Sequence, residues 1–244
     1  MVMTMGWRQR VARAVWALAL VMVIGACAST REAAVPDARR DDALRVMSFN
    51  IRYGTARDDG ATRGEYTAIL YDARRLEAVD SGTFWLADTP DIPGVIAWGA
   101  RLPRICTWAT LRVRGNGRMF RVFCTHLDHE SEEARIRGAE LVVRRAKEAD
   151  PPLPTLIAGD FNAGEASRPV TRVREAGFRD TFRDVETQPD AVATYHGFEG
   201  RRDGAKIDYI FASEEFATRE AAIDHSNDGG RYPSDHYPVT AILT

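Results

Sequence analysis

Leu153–Gly164 reads LPTLIAGDFNAG. Leu156, Ile157 and Ala158 make a short apolar run of strand length, which meets Gly159 and then stops on Asp160-Phe161-Asn162. A carboxylate at the end of a core strand is costly to bury unless it is paired or holds a cation. Asp160 therefore points to a polar site at a strand end. Taken alone, Gly-Asp-Phe-Asn is also a good turn sequence, because Asp and Asn bond readily to their own backbone.

Three other apolar runs lead into polar residues in the same way. RVFCTHLDH (121–129) runs into His126, Asp128 and His129, and AKIDYIF (205–211) carries Asp208 inside an otherwise apolar strand. RYPSDHYPVTAIL (231–243) sets Asp235 and His236 just ahead of the last strand. A fourth stretch, RVMSFNIRYGTARDDG (45–60), alternates through Val46 and Phe49 and ends on Asn50. Each has a bland reading: a satisfied core histidine for His126, a bend for Asp208, a cap for Ser234-Asp235. Several such ends side by side would line a pocket able to hold a metal and a phosphate.

The remaining chain reads as strands with few helices. Strands are expected at 44–51, 67–71, 105–113, 119–126, 154–159, 206–212 and 236–243. Residues 131–149 repeat Ile136, Ala139, Val143 and Ala146 at helical spacing, with acids in the first turn and bases in the last. A shorter helix is expected over 167–176, before Gly177. Asn116-Gly117 predicts a two-residue hairpin turn. That turn sets Cys124 opposite Ala109, so Cys106 and Cys124 point to opposite faces and form no disulfide.

The N-terminus carries Arg8, Arg10 and Arg13, then the apolar run AVWALALVMVIGA up to Cys27. Basic, apolar and small residues in that order read as a secretory signal over 1–27, and the run is short for a membrane span. Ile24-Gly25-Ala26-Cys27 resembles a lipobox, in which Cys27 would carry a lipid anchor; Ala26-Cys27-Ala28 also suits ordinary cleavage. The expected destination is outside the cytoplasm, as a membrane-anchored lipoprotein or a periplasmic or secreted protein. Residues 28–43 are polar and without aromatics, as a flexible tether would be, which leaves 44–244 as one domain. Without the signal the chain has 30 basic against 35 acidic residues, a formal net charge of −5, and no basic stripe. That balance argues against tight, sequence-independent binding to duplex nucleic acid.

The motifs SFNIRYG (48–54), THLDH (125–129), GDFN (159–162), IDYIF (207–211) and YPSDH (232–236), in this order, closely resemble the endonuclease/exonuclease/phosphatase family of metal-dependent phosphohydrolases. GEYTAILY (64–71), FWLADTP (84–90) and PRICTW (103–108) resemble a bacterial branch of it. The resemblance implies a four-layer α/β sandwich, two mixed β-sheets packed face to face with outer helices. It implies Asn50 and Asp235 around a divalent metal, Mg²⁺ with Mn²⁺ as the other candidate, and Asp160 aligning or deprotonating the attacking water. Asn162 would fix the phosphate and the nucleophile. His236, oriented by Asp208, would act as acid/base or charge stabiliser at the scissile phosphate, and His126 would donate to a phosphate oxygen. Arg104 is a further phosphate contact, or a structural surface arginine.

The expected activity is Mg²⁺-dependent phosphoester hydrolysis by a monomer, most simply of a phosphodiester. A small phosphodiester, a phospholipid headgroup and nucleic acid all remain open as substrates, and no protein partner is implied. One element of the family pattern is missing. A Gln-Glu pair that supplies the main metal carboxylate has no room between SFNIRYG and GATRGEYTAILY, as though an early helix and strand had been deleted. Glu65, or Asp58 and Asp59, are the local substitutes. The same gap leaves a second reading open: a relative that keeps the fold and phosphate-ligand binding but is catalytically impaired.

Overall fold

The computed structural model describes residues 19–23, 43–51, 67–187 and 192–244. Eleven strands and three helices follow in chain order among these residues. The strands are β1 (Ala19–Val23), β2 (Leu44–Asn50), β3 (Thr67–Tyr71), β4 (Leu76–Trp85), β5 (Ile105–Val113), β6 (Met119–His126), β7 (Thr155–Asp160), β8 (Arg179–Asp180), β9 (Asp208–Ala212), β10 (Thr218–Ile223) and β11 (Val239–Leu243). The helices are α1 (Glu132–Glu148), α2 (Arg168–Glu175) and α3 (Thr181–Val185). One mixed sheet runs β10-β11-β2-β1-β3 and the other β4-β5-β6-β7-β9-β8. This is the α/β sandwich that the motifs imply.

Side-chain parity explains why the second sheet is buried on both faces. Successive residues of a strand point to opposite sides. Phe120, Val122, Cys124, Leu156, Ala158, Ile210 and Ala212 meet Val46, Val239, Ala241 and Leu243 of the first sheet in one core. Their neighbours Phe123, Ile157, Tyr209 and Phe211 face the other way and form a second core with Ala139, Leu141 and Val142 of α1 and Val170 and Val173 of α2. Helix α1 begins where Ser131 accepts the Ala134 N–H, with Glu132 and Glu133 in the first turn and Arg145 and Lys147 in the last.

The β5–β6 hairpin differs from expectation in its loop. The Val113 N–H donates to the Arg118 carbonyl and the Gly117 N–H to the Val113 carbonyl, so four residues, 114–117, span the turn instead of two. Cys124 consequently lies opposite Thr107, not Ala109. A shift of two residues preserves parity. Cys106 packs in the helix-side core and Cys124 between the sheets, and both thiols are free.

The segment read as an export signal contributes a strand. Ala19–Val23 lies between β2 and β3, antiparallel to the first and parallel to the second, with Ala19 opposite Asn50 and Thr67. Asp58, Asp59 and Glu65, the substitutes for the missing carboxylate, lie outside the described residues.

Candidate active site

Strand register gathers most of the site. His126, Asp160 and Asp208 stand in one row across β6, β7 and β9: His126 pairs with Asp160 in the parallel ladder, and Asp160 with Asp208 in the antiparallel one. All three share the parity of Cys124, Ala158 and Ile210, so they face the other sheet. From that sheet comes Asn50, in phase with the buried residues Val46 and Ser48 of β2. A strand ending on asparagine thus places an amide opposite the carboxylate row.

The contacts are direct. Asn50 Nδ2 donates to Asp160 Oδ2 at 2.8 Å, and the same nitrogen lies 3.4 Å from His236 Nε2. His126 Nε2 is 3.5 Å from Asp160 Oδ2. The Asn162 N–H donates to Asp160 Oδ1 at 2.7 Å, while its side-chain amide donates to the Leu127 carbonyl at 2.9 Å. Asn162 sits at φ +46°, a left-handed conformation that Asn tolerates better than most residues. Gly159 has a stricter reason: a Cβ there would lie 1.8 Å from the Thr125 carbonyl oxygen, and φ is +137°.

His236 Nδ1 is 2.8 Å from Asp208 Oδ2. Burial by itself lowers the His236 pKa, but Asp208, helped by Asp160 and Asp235, outweighs it and raises the value to about 9. His236 is therefore protonated at neutral pH, with Nδ1–H donating to Asp208. His196, one residue along from the Tyr195–His236 bridge, behaves oppositely. Burial lowers its pKa, and its ring stacks on Tyr237 with centroids 4.0 Å apart.

Two residues to which the motif reading gave no catalytic role hold this arrangement. The Thr194 hydroxyl accepts the N–H groups of Ile207 (2.9 Å) and Asp208 (3.1 Å), and its carbonyl accepts the Tyr237 N–H at 2.7 Å. Thr194 thus braces the Asp208 strand against the His236 segment. The Ser234 hydroxyl donates to the Asn50 carbonyl and accepts the His236 N–H, tying the end of β2 to the His236 segment that leads into β11. Neither residue carries the chemistry, so nothing in a list of catalytic residue types would single it out.

Arg104 is buried instead of lying on the surface. Its Nε lies 3.4 Å from Asp128 Oδ2, and its Nη2 donates to His129 Nδ1 at 2.8 Å. Burial disfavours the Asp128 charge, but the N–H groups of Ser131 and Glu130 and the Arg104 guanidinium more than offset this, holding the carboxyl below its usual range. Arg104 and Asp128 therefore make a structural pair at the base of α1. Asp235 is half-buried, with Oδ1 3.3 Å from the Ser234 hydroxyl.

The donor set fits a divalent cation. Ligand atoms of Asp160, Asp208 and His236 all lie within 4.8 Å of one another, and Asp208 Oδ1 is buried with no hydrogen-bond partner. Two carboxylates and a neighbouring amide are the hard oxygen donors that Mg²⁺ or Mn²⁺ takes. Asp235 is not part of this group of three, although sequence reasoning set it at the metal with Asn50.

The model of the endonuclease/exonuclease/phosphatase family matches residues 37–236. The chain belongs to this family. A mannosyl-6-phosphatase from Bacteroides thetaiotaomicron is similar over 71% of this chain and 69% of its own, at 29% identity and a TM-score of 0.64. An endonuclease/exonuclease/phosphatase from Bacteroides vulgatus is 32% identical over 71% of this chain and 68% of its own, with a TM-score of 0.62. The human Nocturnin catalytic domain, at 19% identity and a TM-score of 0.54 over 70% of this chain and 60% of its own, shows the fold alone. No curated protein matches the chain. Endonuclease/exonuclease/phosphatase proteins are generally phosphoester hydrolases, and the row His126-Asp160-Asp208 with His236 is where such chemistry would take place here.

Proposed function

We propose that this chain is a divalent-metal-dependent phosphoester hydrolase acting on a phosphodiester, with Mg²⁺ or Mn²⁺ held by oxygens of Asn50 and Asp235 beside the Asp160 and Asp208 carboxylates. The observation that carries this reading is the convergence of Asp160 with the protonated His236–Asp208 pair. Asp160 is fixed at both oxygens, by the Asn162 N–H and the Asn50 amide, so it is oriented to take a proton from an attacking water. His236, held by Asp208 through Nδ1, directs its Nε2–H into the site, where it can stabilise phosphate charge or protonate the leaving oxygen. His126, 3.5 Å from Asp160, supplies a second donor for a phosphate oxygen. A bound divalent cation would add Lewis-acid charge for the non-bridging oxygens.

Two other readings have specific support. Similarity to the mannosyl-6-phosphatase favours a sugar phosphomonoester in place of a diester. The catalytically impaired reading is favoured by the missing Gln-Glu pair, for which the sequence leaves no room between SFNIRYG and GATRGEYTAILY.

One assay separates the three. Hydrolysis of bis(p-nitrophenyl) phosphate and of p-nitrophenyl phosphate is measured with Mg²⁺ or Mn²⁺, with and without chelator, beside Asp160→Ala and His236→Ala. Metal-dependent turnover of the diester, lost in both variants, is the expected result. Turnover of the monoester alone selects a phosphatase. Equal background rates in all three proteins overturn the enzyme reading. Export is tested separately: Cys27→Ser should release the protein from membranes if Cys27 is lipidated, and an unchanged membrane fraction counts against lipidation.

A further inference from the structure

Tyr195 is out of character with its neighbours. Ala193, Thr194 and His196 are 0–2% exposed, whereas Tyr195 between them is 52% exposed. Its backbone is not loose. Tyr195 bridges to His236 in antiparallel fashion, and the flanking bonds run from the Tyr237 N–H to the Thr194 carbonyl and from the His196 N–H to the Asp235 carbonyl. The ring stands edge-to-face against the His236 imidazole, with centroids 5.1 Å apart and planes at 65°. Its hydroxyl end extends over Gly197, where a Cβ would come within 3.4 Å of it. Tyr195 is therefore a positioned aromatic wall beside the group that meets the phosphate, with half its surface facing water.

Isolated exposed apolar residues need no explanation in general. This one is distinguished by place. A phosphate seated on His236 must direct one of its ester groups outward past the neighbouring side chains, and the Tyr195 ring lies in contact with His236. An aromatic ring offers a flat apolar face with few torsions to freeze, which suits stacking against another ring.

We propose that Tyr195 is a specificity residue, packing against a flat aromatic or sugar-ring group esterified to the phosphate. The proposal rests on the phosphoester reading of the site but not on turnover, so binding tests it. Affinities for phenylphosphonate and methylphosphonate are measured by calorimetry with Mg²⁺ present, for the wild-type chain, Tyr195→Phe and Tyr195→Ala. The phenyl ligand should bind about three- to tenfold better than the methyl one to wild type, the usual worth of an aromatic contact. Tyr195→Phe should keep that preference and Tyr195→Ala should lose it. The pH dependence of binding should be alike in all three proteins, as it would not be if Tyr195 acted only through the His236 proton. Equal affinity of wild type for both ligands, no binding of either, or an unchanged preference in Tyr195→Ala overturns the proposal. A phenyl preference without hydrolysis of any ester would leave it standing and remove the hydrolase reading alone.

Discussion

His236 Nδ1 and Asp208 Oδ2 are 2.8 Å apart, and both side chains are almost wholly buried. A buried imidazole next to one carboxylate, with two more nearby, keeps its proton to about pH 9 although burial opposes it. The folded value lies above the unfolded one of 6.5, so protonation of His236 stabilises the fold in full below about pH 6.5. That contribution fades as pH rises from 6.5 towards 9. In Asp208→Asn, the His236 midpoint should fall by roughly one to three units, the usual effect of one close opposite charge. Imidazole nitrogen resonances followed against pH in chelator-treated protein measure it directly. An unmoved midpoint would mean that Asp208 does not set the His236 proton.

Gly159 should tolerate no side chain. Its φ of +137° and the 1.8 Å approach of a would-be Cβ to the Thr125 carbonyl leave the β6–β7 ladder no way to accommodate one next to His126 and Asp160. Gly159→Ala is expected to lower stability by roughly 2–4 kcal/mol in urea unfolding, as backbone strain and a steric clash together would. A wild-type midpoint would show that the ladder opens more easily than its register suggests.

The elements that were legible in the sequence are those whose side chains face a core. The runs at β5, β6, β7 and β9 are apolar because the second sheet is covered on both faces, and α1 shows its face because it packs on only one. Strands β4, β8 and β10 escaped notice for the complementary reason. They lie at sheet edges, and β4 (LEAVDSGTFW) and β10 (TREAAI) each expose half of their residues, so no alternation marks them. The same division holds at the site. His126, Asp160, Asp208 and His236 announce themselves as polar residues at or within apolar strands. Thr194 works through backbone groups 13 and 14 residues away, and Tyr195 through its place beside His236, neither of which local patterning encodes. Arg104 could be read as a phosphate contact or as a surface arginine because its partners, Asp128 and His129, lie more than 20 residues further along.

Thr194 offers a test of that bracing role. Valine has the same shape without the hydroxyl, so Thr194→Val leaves the half-buried Ile207 and buried Asp208 N–H groups without their acceptor. A loss of about 1–3 kcal/mol is expected for buried donors left unsatisfied, and Thr194→Ser should recover most of it. Because Asp208 is one of the two residues held, the His236 midpoint should also shift in the valine variant and return in the serine variant. A loss of stability with no change in that midpoint would confine Thr194 to the fold.

The strand Ala19–Val23 sets export and folding against each other. It is hydrogen-bonded to β2 on one side and to β3 on the other, so removing it leaves β2, which carries Asn50, as a sheet edge and β3 without its neighbour. Exposed strand edges invite pairing with other chains. A peptidase cut before Cys27 removes that strand along with the signal. The chain beginning at Cys27 should therefore exchange the amides of residues 44–50 and 67–71 faster than the full chain, unfold at lower urea and self-associate more readily. Hydrogen exchange read by mass spectrometry on both forms, together with light scattering, decides the matter. Equal protection of residues 44–50 in the two forms would show that the first sheet closes without the N-terminal strand, and that cleavage costs the site nothing.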